Sequence, residues 1–381
     1  MSKTDLGHVH ALSLERRRSG GAPVLVKCHS NMDHMTLPCR DSGAGRVFLT
    51  PARASALLVG APGCYAARID QGKNMRRLAA IAAALFATVA AAQPGAWRPR
   101  PVTGATEPSD VVAHSAASDW RAIDPENLLV IDLVDGGRVV IELAPAFAPV
   151  HVANMRRFAR AGWWNNATIY RVQDNYVAQW GNGDAATTLP AGVVAQPPAE
   201  YERPLAGLNI RPLGYPDSYA PMVGHVDGWP VAYDPRRRMA WLTHCYASVG
   251  VGRDLAPSTG NGGELYAVIG HAPRHLDRNI ASVGRVIEGM ALLSARPRGT
   301  GNLGFYQTDH GEVPIPIRAA RLAADMPEAE RPRYEAMRSD TQTFSAFVRG
   351  RANRGGSFFQ VPAGGVDICN VNVPVRRRST P

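Results

Sequence analysis

Sustained hydrophobic patterning begins at residue 128. Residues 128–133 (LLVIDL) and 138–143 (RVVIEL) are apolar runs of strand length. Asp135-Gly136-Gly137 between them is a hairpin-turn signal. After two prolines in residues 144–150 the period changes. Over residues 152–161 (VANMRRFARA), Val152, Met155 and Phe158 recur at helical spacing, and Gly162 stops the helix. Strand-like runs return at 167–172 and 176–180. Residues 184–240 carry nine prolines without a sustained period and read as loop. Short strands are predicted at 247–251 and 265–269. Residues 281–286 form another strand that leads into a short helix over 287–293. Across residues 327–354, Tyr334, Met337, Phe344, Phe347 and Val348 lie near helical spacing and predict an amphipathic helix. The tail contains strand-like FFQV and DICNVNV. Many short strands joined by turns, with few helices, predict a mainly β protein built on a closed antiparallel barrel.

Composition narrows the class. Of 381 residues, 45% are hydrophobic and 19% charged, enough to bury a core. Thirty-seven glycines and 30 prolines without a period indicate many loops and exclude collagen. No apolar run reaches 18 residues, which excludes a multi-span helical membrane protein. Five cysteines are too few for a disulfide scaffold. The net charge of +10 is uneven. Residues 1–92 hold 12 basic and 5 acidic residues, the remainder 30 and 27. So near-neutral a body argues against a nucleic-acid surface.

Residues 75–92 start with Met75-Arg76-Arg77, continue as the apolar run LAAIAAALFATV and end in Ala90-Ala91-Ala92. This is the pattern of a secretory signal with its cleavage site before Gln93. Such signals open chains, so translation is expected to begin at Met75. The codons permitted by Gln71-Gly72-Lys73-Asn74 allow a purine-rich ribosome-binding sequence just upstream. Residues 1–74 are then an untranslated or disordered extension, and the mature protein is periplasmic or secreted from a bacterium. It carries no stable membrane insertion once the signal is removed. Residues 93–126, rich in Pro, Ala and Ser, read as a flexible lead-in. The mature chain keeps Cys245 and Cys369, as a disulfide or as two buried thiols.

The most informative stretch is Ile169-Tyr170-Arg171-Val172, followed by Tyr176-Val177-Ala178-Gln179-Trp180-Gly181-Asn182-Gly183-Asp184. It resembles the cyclophilin signature, an aromatic-His-Arg-Val run followed by Phe-Met-x-Gln-Gly-Gly-Asp. Three further segments resemble that family in order and spacing. They are Val152-Ala153-Asn154-Met155, Gly250 to Arg253 with Gly262 to Tyr266, and Leu276-Asp277 with Val283 to Val286 and Glu288-Gly289-Met290. The resemblance spans about residues 127–296. It leaves an insertion at about 185–240, expected as an ordered loop beside the cleft, and a C-terminal extension at 297–381 with one amphipathic helix.

The resemblance implies an eight-stranded β-barrel with capping helices that isomerises X-Pro bonds without cofactor or metal. Its partners would be unfolded or partly folded X-Pro-containing polypeptides. Rotation about an X-Pro bond must break amide resonance, and a positioned cation can stabilise the twisted nitrogen. Arg171 is the implied catalytic cation, because a guanidinium stays charged and offers several fixed donors. Gln179 would orient it or hold a substrate carbonyl. Tyr176, Val177, Tyr266 and Leu276 would form the apolar floor for the proline ring, with Gly252, Arg253 and Glu264 along the substrate. A lone strand arginine is ordinarily solvated or ion-paired, and the three apolar floor residues other than Val177 could be plain barrel core. The matched motif is what favours the functional roles.

Several positions depart from the family pattern. Tyr170 stands for His, Val177 for Met, Trp180 for Gly and Glu264 for Gln. Glu264 could pair with Arg171 and compete for its donors. His275 stands where the family's cyclosporin-linked Trp is common, and Ile280 replaces a pocket His. His271 and His275 flank Pro273 and read as loop residues rather than a helical metal pair. His244 and Cys245 are neighbours that would face opposite sides of a strand, which disfavours a thiol hydrolase. The alternative function is a non-catalytic chaperone or scaffold of the same fold that grips proline-containing peptides.

Overall fold

The computed structural model describes residues 107–183, 188–355, 358–359 and 361–378. The readings of residues 1–74 and 75–92 lie outside the described residues. Those described fall in one contact unit, Gln93–Pro381. Helix α1 (Pro108–Ala113) and strand β1 (Trp120–Ala122) come first. The hairpin β2 (Leu128–Leu133) and β3 (Arg138–Leu143) leads into helix α2 (Pro149–Arg160), then β4 (Thr168–Val172) and β5 (Val177–Gly181). Five inserted strands follow: β6 (Arg203–Pro204), β7 (Arg211–Pro212), β8 (Met222–Val226), β9 (Trp229–Asp234) and β10 (Met239–Leu242). Next are β11 (Ser248–Val251), β12 (Leu265–Val268), β13 (Ser282–Glu288), helix α3 (Met290–Ser294) and β14 (Ile315–Leu322). Strand β15 (Tyr334–Met337), helix α4 (Gln342–Ala352) and β16 (Val375–Arg377) complete the order.

The expected barrel is present. Its strands run in the order β11-β12-β5-β4-β14-β2-β3-β13, and β13 returns to β11 with every pair antiparallel. Alternation sends Ile169, Ala178, Trp180, Val249, Leu265 and Ala267 into one core with Val152, Met155 and Phe158 of α2. Each large side chain buried this way contributes about 1.5–3 kcal/mol. Helix α2 ends where the sequence predicts, with Gly162 left-handed at φ 66°.

Strands β2 and β3 lack alternation because both of their faces are covered. Leu129, Ile131, Val139 and Ile141 point into the barrel. Leu128, Val130 and Val140 meet Ile123, Met326, Tyr334 and Ala336 on the outside. That cover is β15 of the three-stranded sheet β1-β15-β16, with Ile123 just after β1 and Met326 from the turn after β14.

Several expectations are corrected. Residues 107–126, part of the predicted flexible lead-in, contain α1 and β1, anchored because Trp120 is buried in a second core. The barrel does not end at 296: β14, from the predicted extension, pairs with β2 and β4 and closes it. The helix predicted over 327–354 is strand β15 followed by α4, which starts where the Thr341 side chain accepts from the Phe344 N–H. Likewise β13 runs to Glu288 before α3, and the tail forms a turn at Ile368–Asn370 and strand β16.

The insertion is a five-stranded sheet in the order β6-β10-β9-β8-β7, not a loop beside the cleft. Its central hairpin turns at Asp227-Gly228, both at positive φ, the dipeptide suited to that turn. Leu213, Val223, Ala232 and Trp241 of the insertion pack on Met337, Phe344, Phe347 and Val371 of the C-terminal region. A disulfide joins Cys245, between β10 and β11, to Cys369 of the C-terminal region, with their Cα atoms 5.0 Å apart.

Candidate active site

Register places the site on the outside of the barrel. Arg171 of β4 faces Gln179 of β5, Gln179 faces Tyr266 of β12, and Tyr266 faces Gly250 of β11. Directly opposed residues share a face, so these four form one row across adjacent strands. A bulge in β4 between Ile169 and Arg171 turns Tyr170 toward the same row.

The Arg171 guanidinium is half-buried and gripped by neutral acceptors. Its NH1 donates to Gln179 Oε1 at 2.9 Å, NH2 to Gln173 Oε1 at 2.6 Å and Nε to the Leu303 carbonyl at 2.8 Å. Phe305 lies under it, 5.3 Å from ring centroid to guanidinium carbon. A guanidinium has five N–H donors, so donors remain for a substrate. Desolvation lowers its pKa, and it stays charged.

Glu264 does not take Arg171 as its partner. Its Oε2 accepts from the Tyr170 hydroxyl at 2.7 Å, and its Oε1 from the N–H groups of Asn182 and Gly183 at 2.9 and 3.2 Å. The Tyr170 hydroxyl in turn accepts from Gln179 Nε2 at 2.6 Å. A relay therefore runs from Glu264 through Tyr170 and Gln179 to Arg171. Burial and the Glu264 carboxylate push the Tyr170 phenol far up, so it remains a donor. Gly181 makes room, since a Cβ there would fall 1.9 Å from Glu264 Oε2. Trp180 points the opposite way, into the barrel core, and leaves the cleft unobstructed.

Beside Arg171 lies an apolar floor. Val177 and Tyr266 are buried and cluster with Tyr176, Leu276 and Ile280. His275 stacks on Tyr176 at 6.0 Å. Gly252 and Arg253 lie at the rim, where the Arg253 side chain donates to the Asn279 and Asp254 carbonyls. All nine residues singled out from the sequence line one cleft of about 970 Å³. From the insertion side, only Gly183 and Ala195 reach it among the described residues.

Sequence reasoning missed Leu303, Phe305 and Gln173, and it gave Tyr170 no role. A signal for the loop was present in the glycine-rich run Gly299 to Gly304. Gly304 packs on Gln173, where an added Cβ would lie 2.5 Å from its Cα.

Residues 129–315 match the family model of the cyclophilin type peptidyl-prolyl cis-trans isomerase. This segment belongs to the cyclophilin family. A 67-residue stretch is 41% identical to each of two proteins named probable peptidyl-prolyl cis-trans isomerase, from Brucella suis biovar 1 and Brucella melitensis biotype 1. It covers 18% of this chain, and the chain spans about a third (34%) of those relatives' length. The fold is similar to the crystal structure of cyclophilin AquaCyp293 from Hirschia baltica, with 24% identity and a TM-score of 0.54. That similarity covers 73% of this chain and all of the other, so it extends well beyond the cyclophilin barrel.

Proposed function

We propose that the protein is a peptidyl-prolyl cis–trans isomerase acting on unfolded or partly folded X-Pro-containing polypeptides. The observation that carries the reading is Arg171: a desolvated cation, held by neutral acceptors, with donors to spare beside an apolar floor. The proline ring sits on Val177, Tyr266 and Leu276. The substrate amide then lies against the guanidinium. An N–H directed at the prolyl nitrogen favours a pyramidal nitrogen and weakens the C–N double-bond character. The uncatalysed barrier is about 18–20 kcal/mol, and exchange takes tens to hundreds of seconds. Each ~1.4 kcal/mol of added stabilisation in the twisted state gives about tenfold. Fixed dipoles and charges in a partly water-excluded site supply such stabilisation without reorganising. Gln179, steadied by Tyr170 and Glu264, keeps the guanidinium in place.

The setting we propose is the periplasm or exterior of a bacterium, where the protein assists folding of exported chains. The Cys245–Cys369 disulfide supports an oxidising compartment. The deciding experiment measures X-Pro exchange in a proline peptide by NMR with the parent and with Arg171→Ala. Acceleration by the parent, reduced about 100-fold or more in the variant, is expected. Peptide binding without acceleration would refute the enzyme and leave a binding module.

A further inference from the structure

The inserted sheet lies away from the cleft, yet one of its connections reaches the proline pocket from behind. Asp217, between β7 and β8, is buried and accepts two hydrogen bonds from the Arg274 guanidinium, at 2.9 and 3.2 Å. Arg274 is also buried, and its Nε donates to Asp277 at 2.6 Å. Asp277 accepts from the backbone N–H of His244 at 2.9 Å and lies 3.1 Å from its Nδ1. The Nε2 of His244 lies 3.0 Å from the Tyr266 hydroxyl, with the two rings stacked 6.4 Å apart.

The direction of these bonds follows from the acids. Burial raises the Asp277 carboxyl, but His244 and Arg274 outweigh it and hold it below 3.8. An ionised carboxylate only accepts, so His244 Nδ1 donates to it. Burial pushes the Tyr266 phenol well above its usual range, so it keeps its proton and can donate to Nε2.

Two parts of the pocket depend on this chain of contacts. One is Tyr266. An apolar floor needs only its ring, and a buried hydroxyl is costly unless bonded. Here it is bonded, and β11 leaves space for it, because a Cβ on Gly250 would lie 2.2 Å from the hydroxyl oxygen. The other is the helical turn Arg274–Leu276, bracketed by Arg274 and Asp277. That turn carries the pocket residue Leu276 and His275, which stacks on Tyr176.

We infer that Asp217, Arg274, Asp277 and His244 are positioning residues through which the insertion sets the wall and floor of the proline pocket. The inference rests on the isomerase reading only in naming the pocket's ligand. Its test uses the full chain carrying Asp217→Asn or Arg274→Lys. Peptide affinity is read by NMR titration, kcat and KM by exchange, and folding by thermal melting. Kd and KM should rise about 3- to 10-fold while kcat stays within about twofold, because Arg171 lies outside this network. Resonances of Leu276 and Tyr266 should shift before peptide is added. Arg274→Lys keeps the buried charge and loses the two-point grip, so it gives the same reading if Asp217→Asn unfolds the protein. Variants with a lower melting temperature but parental Kd would overturn the inference and assign the network to stability alone. Affinity is measured without turnover, so a parent that binds but does not isomerise would sink the enzyme reading and leave this test intact.

Discussion

Replacing Tyr170 with Phe removes one oxygen and keeps the ring stacked 5.9 Å from Phe305. That oxygen donates to Glu264 and accepts from Gln179. Without it, Arg171 alone among these partners still orients the Gln179 amide. A hydrogen bond to a charged group is worth about 1.5–3 kcal/mol, and one between neutral groups about 0.5–1.5 kcal/mol. Only part of this reaches the reacting amide, since Gln173 and Leu303 still anchor Arg171. A share of about 1–2 kcal/mol corresponds to a 5- to 30-fold loss in rate. The loss should fall on kcat, because Val177, Tyr266 and Leu276 are untouched. Exchange NMR over a range of peptide concentrations separates kcat from KM. A denaturant midpoint on the same sample checks folding. A Tyr170→Phe protein whose kcat stays within twofold of the parent would refute the relay. A double-mutant cycle with Glu264→Gln should show coupling, since both changes act on one chain of bonds.

Three further outcomes are expected. Reducing the Cys245–Cys369 bond, which spans 124 residues of sequence, should lower stability by about 2–5 kcal/mol in denaturant titration; an unchanged midpoint would contradict this. Burial raises the Glu142 carboxyl, but Arg285 and Arg121 overcome it and hold the pKa below its usual 4.5. A depressed acid pKa stabilises the fold above 4.5 and loses that contribution as pH falls through the folded-state value, so melting temperature should drop below pH 4.5, and drop less steeply in Glu142→Gln. With His275 in place of the family's common Trp, cyclosporin should inhibit weakly, and a low-nanomolar inhibition constant would contradict that.

The barrel and the cleft were legible because their signals are local. The turn at Asp135-Gly136-Gly137, the helical face of Val152, Met155 and Phe158, and the Arg171–Gln179 motif each fit within a few residues. The inserted sheet was hidden by its prolines. Pro204 and Pro212 sit on the two-residue edge strands β6 and β7, where a missing N–H costs little, and Pro230 is the second residue of β9. The Asp227-Gly228 turn was a hairpin signal outweighed by that proline count. Strand β14 escaped notice because its pairing with β2 spans most of the domain and leaves little local trace. Glu264 was misjudged for a different reason. Its partner depends on a bulge that swings Tyr170 into reach, and no spacing rule reports a bulge of that kind.

The second core brings together distant parts of the sequence: Trp120 from before the barrel, Trp241 from within it and Phe344, Ile368 and Val371 from after it. Leaving a ribosome or a membrane channel, these segments emerge at very different times. Until the region from β15 onward has been made, Leu213, Val223 and Trp241 have no apolar partner on that side, and the barrel still lacks β14 for much of that interval. Contacts this far apart in sequence form slowly and leave sticky surface exposed meanwhile. A protein proposed to help other chains fold is thus expected to finish its own fold slowly, and to expose apolar surface until it does. Cys369 packs against that core, so its bond to Cys245 ties the core's last-made part to the segment just before β11.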